Sequence, residues 1–202
     1  MMFKKITFFG LLFLYLSPMI ATPTQPTDNY FKKNQLLVGF YDDNILPSDP
    51  PRPPHPLFWN SRVSANYGLT FLYERTIYHT QKYFAANVGT STSWWALNSP
   101  PESQVAISAF VDLYIFIFRT NSFSPYITYS VAGPTILSRR WFGNANLGSH
   151  FIFQDFFGLG VLMGKNHTIN MSFKLYHYSN GDLFLHNDGF DVPLIFSMGY
   201  SF

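Results

Sequence analysis

The chain has 202 residues, 12% of them charged and 20% aromatic, with a formal charge of +2 and no cysteine. That length suits one domain; the aromatic content excludes a disordered or coiled-coil protein, and the small charge without a basic stripe excludes a nucleic-acid binder. The lack of cysteine excludes disulfides, thiolate zinc centres and cysteine nucleophiles.

In chain order, Lys4 and Lys5 precede an apolar run over residues 6–16, followed by Ser17-Pro18 and a cleavage point after Ala21. A spanning helix needs about 20 apolar residues, so the run reads as a secretory signal peptide over 1–21, leaving a mature domain over 22–202. Export without a helical anchor leaves two destinations, a soluble secreted protein or an outer-membrane barrel. After a polar lead comes the first alternating segment, 35–41, and then a break with six prolines between Pro47 and Pro56. No central strand tolerates that proline density. Seven more segments with period-two alternation follow: 67–78, 81–97, 104–119, 125–137, 149–163, 167–178 and 191–202.

Eight strands is an even number, and the connections alternate in length. Those over 42–66, 98–103, 138–148 and 180–190 read as longer, and those at 79–80, 120–124 and 164–166 as tight. Alternating long and short connections belong to an all-β, eight-stranded antiparallel up-and-down transmembrane β-barrel. The side-chain rows agree. In 104–119 one row is Val105, Ile107, Ala109, Val111, Leu113, Ile115 and Ile117, while the other contains Ser108, Asp112 and Tyr114. In 191–202 one row is Val192, Leu194, Phe196, Met198, Tyr200 and Phe202. An aliphatic row beside a mixed row fits lipid outside and a packed polar interior. Turning the rows inward would give a lipocalin-like soluble barrel around a greasy ligand. Asp155 breaks the scheme by sharing a row with Phe151, Phe153, Phe157 and Leu159; a bulge there would move it.

The approach to His177-Tyr178-Ser179-Asn180 alternates strictly: Ile169, Met171, Phe173, Leu175, His177 and Ser179 form one row, and Asn170, Ser172, Lys174, Tyr176, Tyr178 and Asn180 the other. His177 and Ser179 thus lie side by side on the apolar face, at the end of the seventh strand. An imidazole near a hydroxyl is the first requirement for an activated nucleophile. With both termini in the periplasm, that end of strand seven is the outer rim, where lipopolysaccharide forms the leaflet.

From His177-Tyr178-Ser179-Asn180 through Asn187-Asp188-Gly189-Phe190-Asp191 to the last strand, the chain resembles the PagL-type lipid A 3-O-deacylases. Weaker similarity covers Gly133-Pro134, Phe153-Gln154-Asp155 and Gly158-Leu159-Gly160. The resemblance implies an outer-membrane barrel that hydrolyses an ester-linked acyl chain of lipid A, expected at the 3-position, with no metal or other cofactor. It implies Ser179 as nucleophile, His177 as general base and Asp191 as the acid that orients the imidazole. Asn180 or Asn187, with nearby backbone amides, would hold the oxyanion. Where the family carries Glu, this chain has Asp191, which makes Asp188 a reserve candidate. Strand alternation extended to Asp191 also points it inward, so its role requires the chain to leave strand geometry near Gly189.

The other histidines, His55, His79, His150, His167 and His186, show no ligand spacing. Arg139-Arg140 falls in an outer loop and reads as a solvated pair, with lipid A phosphates as the alternative partner. Trp94-Trp95 and Tyr126 suit an interfacial aromatic girdle, with core packing as the alternative. The expected partners are lipid A and the outer membrane, and a homodimer is compatible with the sequence. The rival of another class is a non-catalytic eight-stranded barrel with a structural or adhesive role.

Overall fold

The computed structural model describes residues 32–45, 59 and 61–202. The signal-peptide reading and the proline-rich break lie outside the described residues. Among the described residues, eleven strands run in chain order: β1 (Asn34–Asp42), β2 (Val63–Ser64), β3 (Tyr67–His79), β4 (Phe84–Leu97), β5 (Glu102–Phe116), β6 (Phe123–Leu137), β7 (Trp141–Phe142), β8 (Ala145–Asn146), β9 (Phe151–Met163), β10 (Ile169–Ser179) and β11 (Phe190–Ser201). Eight of them (β1, β3, β4, β5, β6, β9, β10 and β11) pair antiparallel with their chain neighbours, and β1 pairs with β11 to close the barrel. Closure leaves no free sheet edge, which is what a sheet surrounded by hydrocarbon requires.

The period-two rows settle which side faces out. Val105, Ile107, Val111 and Ile115 on β5 are exposed, while Ala106, Ser108, Phe110, Asp112, Tyr114 and Phe116 between them are buried. Leu36, Val38, Phe71, Phe173, Met198 and Tyr200 continue the exposed apolar wall around the barrel. The lipocalin-like alternative needs those rows inside and is overturned.

Inside, a network of charged and polar side chains occupies the middle of the lumen. Lys174 Nζ on β10 donates to Asp112 Oδ2 at 3.0 Å and to Glu74 Oε1 at 3.3 Å, all three side chains fully buried. Tyr114 donates to Glu74 at 2.6 Å, and Tyr126 to Asn170 at 2.6 Å. Towards the end that bears residues 138–150 and 180–189, aromatic rings fill the lumen. Tyr178 stacks on Phe190 with centroids 4.5 Å apart, and Phe142 from the β7–β8 hairpin meets Phe190 edge-on at 5.0 Å. The interior is a packed core and not a pore.

Three expectations change. The β4–β5 connection, expected to be long, is only residues 98–101, no longer than the tight turn at 80–83. Of the proposed aromatic girdle, Trp94 faces outward, but Trp95 and Tyr126 are buried in the lumen. Trp95 Nε1 donates to Tyr178 Oη at 3.1 Å, and Tyr126 stacks on Tyr114 at 4.0 Å; two adjacent strand residues cannot share a face. The bulge expected at Asp155 belongs to the neighbouring strand. Residues Val131 and Ala132 of β6 stand opposite Asp155 of β9, and Ala132 has φ 54°. Asp155 stays in the outward row and accepts the N–H that the bulge frees from Ala132.

Candidate active site

The barrel brings the sequence's polar outliers together at the long-loop end of β10 and β11. His177 pairs in register with Asp191 on one side and Asp155 on the other. Residues paired directly across two strands point to the same face, so all three side chains lie on the outer wall.

Asp191 reaches that wall by a device the sequence pattern hid. Lys174 pairs with Ile195, but Tyr176 pairs with Val192, so one residue of β10 faces two of β11, Pro193 and Leu194. This bulge inverts the alternation of β11. Below it Phe196, Met198 and Tyr200 face lipid; above it Phe190 and Val192 are buried in the lumen and Asp191 turns outward. Val192 therefore leaves the outward row to which strict alternation assigned it. The change of face occurs within the strand at Pro193, which has no N–H to lose from the ladder, and needs no departure from strand geometry at Gly189.

The outward turn puts Asp191 Oδ1 2.7 Å from His177 Nδ1. An aspartate therefore reaches the imidazole directly, despite its shorter side chain. Asp188, the reserve acid, is committed elsewhere: its carboxylate accepts the backbone N–H of Asn146 at 2.8 Å and pairs with Arg62 at 3.5 Å. A carboxylate at Nδ1 selects the tautomer protonated there, because the other would set a lone pair against negative charge. Nε2 is then the basic nitrogen. Ser179 follows two residues later on the same face, half-buried. Among the described residues, Ser179 Oγ makes no hydrogen bond and Nε2 has no hydrogen-bond partner, so the hydroxyl and the base are both unengaged. Catalytic hydrogen bonds often tighten only once substrate is bound.

The two asparagines are held differently. Both hydrogens of Asn180 Nδ2 are donated, to Leu147 O at 3.0 Å and His186 O at 2.7 Å, so the side chain ties two loops together. Asn187 accepts the Asn180 backbone N–H at 2.7 Å and gives one amide hydrogen to Asp182 at 3.0 Å. Its second amide hydrogen has no partner among the described residues.

Two site residues escaped sequence reasoning. Ser61 Oγ donates to Asp191 Oδ1 at 2.7 Å and lies 3.0 Å from His177 Nδ1. The Trp59 indole stacks on the imidazole, centroids 5.3 Å apart and planes 6° from parallel. With that cover His177 is only 6% exposed, so its ring is shielded and not laid bare among hydrocarbon tails. Neither residue has a local signal, since each lies more than a hundred positions from His177 beside a proline-rich break.

A closed barrel with an apolar outer wall, carrying an imidazole–carboxylate pair and an adjacent hydroxyl on that wall, has the parts of a membrane-embedded acyl hydrolase. Residues 62–201 match the family described as lipid A 3-O-deacylase (PagL). The chain belongs to this family, and so is an ester hydrolase built on an outer-membrane barrel. It is 26% identical over 177 residues to the lipid A deacylase PagL of Bordetella bronchiseptica, covering 81% of this chain and 94% of that one. It is 28% identical over 88 residues to the lipid A deacylase PagL of Pseudomonas aeruginosa, a match spanning 44% of this chain and about half (49%) of that relative. The crystal structure of the outer membrane enzyme PagL superposes with a TM-score of 0.58 at 16% identity, over 84% of this chain and 99% of that one. That likeness confirms the fold.

Proposed function

We propose that the protein is a serine esterase that removes an acyl chain from lipid A, with its active site towards the outer leaflet. The observation that carries this reading is the outward-facing His177 Nδ1–Asp191 pair at 2.7 Å beside Ser179. Polar groups on a lipid-facing wall are costly, and those in membrane segments usually serve function. Ser179 Oγ attacks the ester carbonyl while His177 Nε2 takes its proton, and Asp191 stabilises the imidazolium that forms. The ester's alcohol oxygen leaves with that proton. Water then adds to the acyl-serine by the same relay and releases the fatty acid.

Asn187, with an amide hydrogen to spare, is the better placed of the two asparagines to receive the oxyanion, and Asn180 holds the loops that carry it. The family supports the 3-position as the bond cleaved. Exposed Arg139 and Arg140, on the connection that Asn180 ties to the active-site loop, offer cations to the phosphates of such a substrate.

The test is mass spectrometry of lipid A from Gram-negative cells expressing the wild-type chain or Ser179→Ala. Wild type should remove one acyl chain, and the variant should leave the full complement while still folding into a heat-modifiable barrel. Deacylation undiminished in Ser179→Ala would sink the nucleophile assignment. Intact lipid A in both strains would favour a non-catalytic barrel.

A further inference from the structure

The connection between β1 and β3 does more than join two strands. β1 pairs with β11 from Gln35–Ser201 as far as Phe40–Phe196 and then leaves it. Beyond that point β2 lies against β11 in parallel, Val63 beside Phe190 and Ser64 beside Asp191. The Arg62 N–H donates to Asp188 O at 2.9 Å, and the Ala65 N–H to Asp191 O at 2.9 Å. The segment is therefore fixed to the strand that bears the catalytic acid. Gly189, at φ 64°, passes close beneath: a Cβ there would lie 3.3 Å from both His177 Cε1 and Ser61 Oγ. The family match begins at Arg62, so Trp59 and Ser61 stand just outside it.

We infer that Ser61 is a positioning residue for the reaction, holding the Asp191 carboxylate in the one orientation that orders the His177 imidazole, with Trp59 as the cover that excludes solvent from the pair. This rests on the esterase reading of the same site. Asp191 Oδ1, His177 Nδ1 and Ser61 Oγ form a triangle with sides of 2.7, 2.7 and 3.0 Å. Within the triangle two hydrogens are available, one on Nδ1 and one on Oγ, and one carboxylate oxygen accepts both. A carboxylate on a short side chain can rotate away from its partner. A second donor on the same oxygen removes that freedom, and the stacked indole removes the corresponding freedom of the ring. Ser61 is not the nucleophile, because its hydroxyl faces the protonated nitrogen and donates to the acid.

The hydroxyl also draws charge from the carboxylate. Without it, Asp191 would stabilise the imidazolium more strongly while orienting it less well. Among the described residues, the other charged groups around His177 are Asp155 on β9, in register with it, and the Arg62–Asp188 pair at the rim; Ser61→Ala alters neither. Two signatures should therefore appear together in Ser61→Ala. kcat should fall about 10- to 100-fold, the equivalent of one hydrogen bond to a charged group, with little change in KM. The acid limb of the kcat/KM profile, which reports the free enzyme's base, should move to higher pH.

The experiment measures both on detergent-refolded full-length barrel hydrolysing lipid A, for wild type, Ser61→Ala and Ser61→Thr. Histidine-labelled NMR titrations accompany it, with the same substitutions made in the Ser179→Ala background and the His177 signal identified by its loss in His177→Gln. Thr keeps the hydroxyl and should restore both kcat and the titration midpoint. Unchanged kcat and unchanged His177 resonances in Ser61→Ala would overturn the inference. So would an equal loss in Ser61→Ala and Ser61→Thr with the His177 midpoint unmoved, since that is loop packing alone. The NMR arm needs no turnover, so it reads Ser61 even if Ser179 proves not to be the nucleophile. Heat-modifiability on gels confirms that each variant has folded.

Discussion

Lys174 and His177 stand three residues apart on β10 and face opposite ways, and their surroundings differ accordingly. Lys174 points into the lumen, where Glu74 and Asp112 take its charge and Tyr114 completes the network. The Phe156 ring also lies against it, 4.4 Å away. His177 points to the outer wall, where Asp191, Ser61 and Trp59 fix one edge and one face of the ring. Its other nitrogen is left unengaged beside a serine. The inner centre is closed, its cation met by two carboxylates; the outer one is ordered on one side only, as a site must be if a substrate is to complete it.

Substitutions that act on one centre and spare the other sharpen this contrast. The largest effect belongs to Ser179→Ala, where activity should fall about 10⁴- to 10⁶-fold, as when a triad nucleophile is removed. Its urea midpoint should match wild type, since the hydroxyl holds nothing in place. Asp191→Asn should lower kcat about 10³- to 10⁴-fold, because an amide nitrogen facing Nδ1 favours the wrong tautomer; single-turnover assays would show it. Lys174→Met reverses the pattern. It strands two buried carboxylates and should cost about 3–5 kcal/mol of stability, read as a lower urea midpoint by tryptophan fluorescence, while the fraction still folded keeps near-normal turnover. If Lys174→Met instead abolished turnover in fully folded barrels, the separation of the two centres would be wrong. Asn180→Ala is the smallest. It removes one hydrogen bond to loop 138–150, at Leu147, and one within loop 180–189, at His186, and should cost about 1–3 kcal/mol, seen as faster amide exchange in those loops.

The same contrast explains what the sequence could reveal. The wall was legible because lipid imposes one rule on every outward residue, so Val105 to Ile117 and Ile169 to Phe173 announce their face by alternation alone. His177 and Ser179 were legible as departures from that rule. The face of Asp191 was not, because alternation carries no memory across a bulge, and Pro193-Leu194 looks like any apolar pair. Asp155 seemed an anomaly for a related reason: its hydrogen-bond donor comes from a bulge in another strand. Trp94-Trp95 reads as a pair in sequence but is divided between two faces by the pleat. Ser61 and Trp59 were beyond reach, since only the closed barrel brings residue 61 to residue 177.

A barrel is a hoop of fixed circumference, and the extra residue at Pro193-Leu194 shifts the phase of one stave without opening it. From Ile195 downward the stave keeps step with its neighbours and answers to hydrocarbon. From Val192 upward it keeps the opposite step and answers to chemistry. The two stretches can therefore diversify independently, the lower held constant by the membrane and the upper free to try new acids, lengths and loops against a wall that never has to move.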